Sequence, residues 1–200
     1  MNNYGIKFEF SVDGEKQIQR FFQMYGKKMD SFKWAFEKIA IDFYETEKKV
    51  FDAEGAFEGN PKWKDLSKGY AKAKEQEYPG KKILERTGAL RKSLTMRNDK
   101  YSRCKISDKD IEIGSELKTP DGRHTLWMLH QRGWKKPEIR SKGGGVLSWV
   151  GPNGQVFSSI SRAVEVPKRQ PIKISKPQAN RWMKILYTYV QEIATGKRSK

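Results

Sequence analysis

The chain has 200 residues, 36% of them hydrophobic and 32% charged, with a formal net charge of +17 at pH 7. That length and apolar content suffice for one sizeable core, so a single domain over residues 1–200 is expected. The charge points to polyanions or acidic protein faces as partners, and no stretch approaches the roughly 20 apolar residues of a membrane helix.

Basic residues run along the whole length, from Lys7 to Lys200, which suits a generally solvated basic surface, with a dedicated nucleic-acid face as the alternative. The densest group, Lys197, Arg198 and Lys200, forms a basic tail over 196–200. Cys104 is the only cysteine, so no intrachain disulfide forms and packing must hold the fold, as suits a reducing cytosol or a particle assembled there. The first residues lack the basic and apolar regions of an export signal, and a soluble, unexported protein is expected.

Phe8, Phe10 and Val12 alternate with Lys7, Glu9 and Ser11, which predicts a half-buried strand over residues 7–12. Asp13 is a candidate N-cap for a helix carrying Ile18, Phe21, Phe22 and Tyr25, and Gly26 ends or bends it. From Ser31, Phe32, Ala35, Phe36, Ile39, Ala40 and Phe43 recur at spacings of three and four, the stripe of an amphipathic helix running towards Phe51. Gly55, Gly59, Asn60 and Pro61 stop it, so residues 13–58 read as an N-terminal helical part. A third, mostly exposed helix is predicted over 66–78, closed by Pro79 and Gly80. Thr87 is expected to cap a short helix through Leu90 and Leu94, with Gly88 easing the turn.

Strands follow. Residues 103–106 and 111–113 flank the polar run Ser107-Asp108-Lys109-Asp110 and predict an antiparallel hairpin. Residues 146–150 and 155–158 flank Gly151-Pro152-Asn153-Gly154, whose Asn-Gly pair accepts the positive φ of a tight turn. A loop-rich insert at about 116–161 holds a short apolar helix over 125–131 and a joint at Lys142-Gly143-Gly144-Gly145. Residues 164–166 and 172–174 look like a last edge strand interrupted by Pro167 and Pro171. A C-terminal helix over 177–195 carries Trp182, Ile185, Leu186, Tyr189, Val190 and Ile193 on one face. The class is α+β: an antiparallel sheet with hairpins packed against several helices, among them a long N-terminal and a C-terminal one.

The inventory of reactive groups is thin. His124 and His130 have no Cys or carboxylate at metal-ligand spacing, and neither Ser93 nor Ser148 sits in a Gly-x-Ser-x-Gly elbow. Cys104 falls within a predicted strand, and Gly80-Lys81-Lys82 lacks the other parts of a phosphate loop. Pro120-Asp121 suggests a metal-dependent nuclease, but the acidic-x-Lys element, Glu116-Leu117-Lys118, lies upstream, in the wrong order. No catalytic, metal or cofactor-binding residue is proposed, and an enzyme is not expected. Trp127, Trp134 and Trp149 stand among Arg132, Lys135, Lys136, Arg140 and Lys142. Such interleaving either stacks bases and screens phosphates or anchors a subunit interface, so Trp127, Trp134, Trp149, Arg132 and Lys135 are candidate interface residues.

One set of residues carries a family likeness. Gly59-Asn60-Pro61-Lys62-Trp63-Lys64-Asp65-Leu66, then Tyr70 and Lys74, precede Ile83-Leu84-Glu85-Arg86-Thr87-Gly88-Ala89-Leu90-Arg91-Lys92-Ser93-Leu94. Further on stand Ile113-Gly114-Ser115, Leu129-His130-Gln131-Arg132-Gly133 and Val166-Pro167-Lys168-Arg169. The pattern resembles the phage virion morphogenesis family, the tail completion and neck proteins of long-tailed phages such as Mu. It covers about residues 59–176, a family-like core, with departures at Gln170-Pro171-Ile172 and in the long insert around 134–161.

The resemblance implies a structural protein of the virion, assembled in the bacterial host cytoplasm, that finishes the tail end meeting the head. It would act as a homo-oligomeric ring, expected as a hexamer, beside adjoining neck, connector and tail-tube proteins, with DNA passing through the lumen and no membrane or cofactor. The nearest variant is a tail terminator; from another class, a DNA-binding accessory protein is the alternative. Trp63, Leu66, Tyr70, Leu84, Thr87, Gly88, Leu90, Ser93, Gly114, His130, Gly133, Pro167 and Arg169 are then structural motif residues. The long N-terminal helix, the sheet edge near Pro167 and the tryptophan-rich insert are the surfaces expected to meet neighbours.

Overall fold

A computed structural model describes residues 5–7, 31–140, 147–150, 154–159, 161–195 and 197. Among them lie five helices and seven short strands of an α+β fold. The predicted helix around Ile18 to Tyr25, most of the strand over 7–12 and the joint at 142–145 lie outside the described residues.

Helix α1, Lys33–Asp52, is the centre of the molecule, because its stripe of Ala35, Phe36, Ile39, Ala40, Phe43, Val50 and Phe51 is buried along its whole length. It ends where Gly55 takes φ +94 and donates its N–H to Val50 O at 2.8 Å. Helix α2, Lys68–Glu77, is mostly exposed as predicted. Its one buried side chain, Lys74, donates Nζ to the carbonyls of Lys81 and Lys82 and holds the next turn against the helix.

Helix α3, Ala89–Thr95, starts differently from the sequence expectation. Gly88, at φ +78, occupies the cap position, and the exposed Thr87 hydroxyl reaches only Ala89 N, at 3.4 Å. A left-handed residue turns the chain here where a side-chain cap was expected. Leu90 and Leu94 enter the core, and Ser93 donates to Leu90 O at 2.8 Å.

Strands β1, Gly5–Lys7, β2, Ser102–Ile106, and β3, Ile111–Ser115, form an antiparallel sheet in the order β1-β3-β2. The predicted hairpin is the β2–β3 pair, with Cys104 opposite Ile113. Buried Ile111 and Ile113 give the sheet an apolar face that joins the same core as α1 and α3. Helix α4, Leu126–Arg132, follows. Helix α5, Lys176–Ala194, is capped by Ser175, whose Oγ accepts Gln178 N at 3.1 Å. Trp182, fully buried, donates Nε1 to Asp42 at 2.7 Å, and Arg181 donates Nε to the same carboxylate at 2.7 Å, fastening α5 to α1.

Four strands form two separate ribbons: β4, Trp134–Arg140, pairs with β7, Ser161–Val166, and β5, Leu147–Val150, pairs with β6, Val156–Ser159. The β5–β6 ribbon is the second predicted hairpin. Strand β4 lies where a loop-rich insert was expected; the register shifts between Lys136 and Ile139, which takes Pro137 out of the ladder. Residues 172–174 are not a strand either. Ile172 is 2% exposed, held in an irregular segment by the Gln131 side chain.

Glu47 lies on the buried side of α1, 1% exposed, with no hydrogen-bond partner for Oε2 among the described residues. Burial holds its pKa well above 4.5, so the folded protein keeps a proton that the unfolded chain releases as pH rises above that value. Stability is therefore lost through that window. Glu47→Gln is expected to raise stability at pH 7 and to change it little at pH 4, measured by urea denaturation at both values.

Candidate functional site

Three stretches far apart in sequence meet beside the C-terminal end of α1. The first is the loop after α1, which carries Trp63. Its ring is 5% exposed, lies edge-on to Phe51 at 5.2 Å, and donates Nε1 to Gln170 O at 2.9 Å. Gly55 makes room for it, since a Cβ at that position would stand 2.6 Å from Trp63 Cδ1.

The second stretch leaves α4. His130 O accepts Arg169 N at 2.9 Å, and the Gln131 side chain donates Nε2 to Ile172 O at 2.9 Å. Gly133 has φ +69, and a Cβ there would meet Lys168 N at 2.8 Å, so only glycine lets the chain leaving β7 pass this closely.

The third stretch supplies Arg169, 5% exposed, which joins the other two. Its Nε donates to Lys64 O at 2.6 Å and its Nη2 to Asp65 O at 2.9 Å. No carboxylate among the described residues forms an ion pair with it. Burial pulls its pKa below the ordinary guanidinium value, with Tyr70 and Asp65 acting the other way. The neighbouring His130 is pushed down to about 4 by burial and by the Arg169 charge, and its Nδ1 has no hydrogen-bond partner among the described residues. It is neutral at pH 7.

Between the first and third stretches lies a cleft of about 240 Å³. Lys62, Lys64, Lys168, Arg169 and Lys173 line it, and no acidic residue does. Lys173 drew no notice from the sequence. The signal was faint: lysines flank Trp63 and precede Arg169, and only the fold makes them neighbours.

Trp63, His130, Gly133, Pro167 and Arg169 are thus brought to one place. Leu90, Ser93 and Gly114 belong to a second seam, where Ser115 Oγ on β3 donates to Ser93 Oγ on α3 at 2.8 Å. Leu66 and Leu84 pack against the core, Leu84 at φ +63. Thr87 and Gly88 stay at the entry to α3, and Tyr70 is half exposed on α2.

The candidate interface residues divide. Trp127 is 4% exposed and donates Nε1 to Ser115 O at 3.0 Å, so it belongs to the core and offers no surface to a neighbour. Trp134 is exposed at the start of β4, beside exposed Arg132, and Lys135 lies 3.4 Å from Glu165. Trp149 is in β5, with its side chain outside the described residues.

Among the described residues no group of His, Cys, Asp and Glu is placed to hold a metal ion, and no helix is long and apolar enough to cross a membrane. No protein-family model, curated protein or solved structure matches the chain.

Two measurements test this arrangement. Arg169→Ala removes two charge-assisted hydrogen bonds and should cost about 2–4 kcal/mol in urea denaturation, with Arg169→Lys recovering less than half, because an ammonium does not match the planar fork. His130 binds its proton less readily folded than unfolded, so its contribution is full above pH 6.5 and is lost as pH falls towards 4. His130→Asn should flatten stability against pH in that window relative to wild type.

Proposed function

We propose that the chain is a structural virion protein of the neck or tail of a long-tailed phage. It is a tail completion protein that forms an oligomeric ring joining the tail to the head connector. It works by shape and self-association and turns over no substrate.

The reading rests first on the residues of the family likeness. Those buried among them act as architecture: Trp63 and Arg169 tie loops through backbone carbonyls, and Gly133 admits a close chain crossing. The observation that carries it further is the pair of ribbons. Among the described residues neither ribbon hydrogen-bonds to the three-stranded sheet. A two-stranded ribbon alone is marginally stable in water and is stabilised by something to pack against. On β5–β6, Val150 and Val156 are paired across the strands and are 67% and 66% exposed, an apolar patch at the ribbon end. Trp134 adds an exposed ring at the start of β4. A second copy seated there through a heterologous contact, repeated by rotation, closes a ring.

In this reading the adjoining neck, connector and tube proteins cover the other faces, and DNA crosses the lumen without sequence-specific contact. A tail terminator differs only in its position on the particle. Sedimentation velocity and electron microscopy of the full-length protein should give a ring. The double variant Val150→Asp, Val156→Asp should keep its circular dichroism and weaken self-association at least ~tenfold, a change of about 1.4 kcal/mol. A protein that stays monomeric at every concentration and is absent from finished particles would overturn the proposal; salt-sensitive duplex binding by that monomer would favour a DNA-binding accessory role.

A further inference from the structure

We infer that the cleft between the loop after α1 and the segment after β7 binds a phosphate group of a nucleic-acid backbone. This goes beyond the ring reading and holds equally for a single subunit.

The electrostatic case starts with Arg169. A buried cation is costly unless a counter-charge accompanies it, and here the guanidinium bonds only the carbonyls of Lys64 and Asp65, with the Asp65 carboxylate acting on it at longer range and no ion pair among the described residues. Four lysines line the same cleft, with no acid among the lining residues. Lys62 alone is near carboxylates, at 3.5 Å from both Glu54 and Asp65, and Glu54 also accepts Ile83 N. Lys168 and Lys173 form no ion pair among the described residues. Such a concentration of positive charge, compensated only in part by Glu54 and Asp65, favours an anion from outside.

Geometry narrows the anion. Asn60 Nδ2 donates to Lys173 O and Trp63 Nε1 to Gln170 O, each at 2.9 Å, so the backbones of the two walls are tied together in advance of binding. At about 240 Å³ the cleft is smaller than the roughly 300–1,000 Å³ that encloses a whole small molecule, and it suits one charged group of a longer chain. The Nε and Nη2 edge of Arg169, the pair best matched to a carboxylate, is occupied by backbone carbonyls. The other cationic donors lining the cleft are lysine ammoniums, point charges suited to phosphate. Trp63, 5% exposed, offers no face on which a base can stack, so the cleft reads backbone charge and not sequence.

The test uses full-length protein and fluorescence anisotropy on a mixed-sequence duplex across a salt series. Lys168→Ala with Lys173→Ala is compared with Lys105→Ala with Lys109→Ala, an equal charge change at exposed positions on and beside β2. All four lysines are exposed, and unchanged melting temperatures confirm folding. The cleft pair should lose roughly tenfold in affinity at ~50 mM salt, with the slope of log affinity against log salt shallower by about 2, and the control pair less than about threefold. Equal losses from both pairs, or none from the cleft pair, would overturn the inference. Two further probes separate the sources of the anion. Tight binding of inorganic phosphate that leaves duplex affinity untouched by the cleft variants would make it a free-phosphate site and overturn the inference. Loss of polyglutamate binding with duplex affinity unchanged would assign the cleft to acidic protein and overturn it too.

Discussion

The arrangement depends on a buried guanidinium that holds two loops together with no ion pair among the described residues. Arg169 comes from the segment after β7, takes the carbonyls of Lys64 and Asp65, and gives its own N–H to His130 O. One residue therefore fixes the loop after α1 against the exit of α4. A planar donor fork suits this task, because Nε and Nη2 lie on one rigid edge and donate side by side to the two carbonyls. Removing it would leave those carbonyls without their donors and the two segments joined by the Trp63–Gln170 and Asn60–Lys173 bonds.

The clasp has a firm base. Helix α1 passes through the core, and the Asp42 carboxylate on it accepts from both Trp182 and Arg181 of α5. On the other side the serine pair at positions 93 and 115 locks α3 to β3. These polar contacts within an apolar core set the spacing of its elements, and they present the cleft in a constant relation to the body. A subunit proposed to work by fitting against copies of itself needs that constancy more than it needs a reactive group.

Much of this was legible in the sequence. The stripe from Phe32 to Phe43 and the face around Trp182 carry helical spacing strong enough to place α1 and α5 directly. Asn153-Gly154 and the polar run at 107–110 located both hairpins. Strand β4 was hidden because Pro137 masks it, and a register shift that accommodates a proline leaves no composition signal of its own. Ile172 and Ile174 alternate as a strand does, yet a side-chain amide from Gln131 takes the place of a ladder partner. Trp127 sits among basic residues in the sequence, and only the fold reveals that its indole points to Ser115 O inside the core. The basic cleft was invisible for a simpler reason: Lys64 and Arg169 are 105 positions apart, and nothing local announces that their loops meet.

Native-state hydrogen exchange tests the central claim most directly. Trp63 N–H bonds to Glu54 O at 2.7 Å and Arg169 N–H to His130 O at 2.9 Å, on opposite sides of the clasp. If the guanidinium couples them, both amides should exchange through one opening event, with the same free energy and the same response to low denaturant. Exchange of Trp63 N–H at far lower free energy than Arg169 N–H would contradict the account, since the two loops would then open independently.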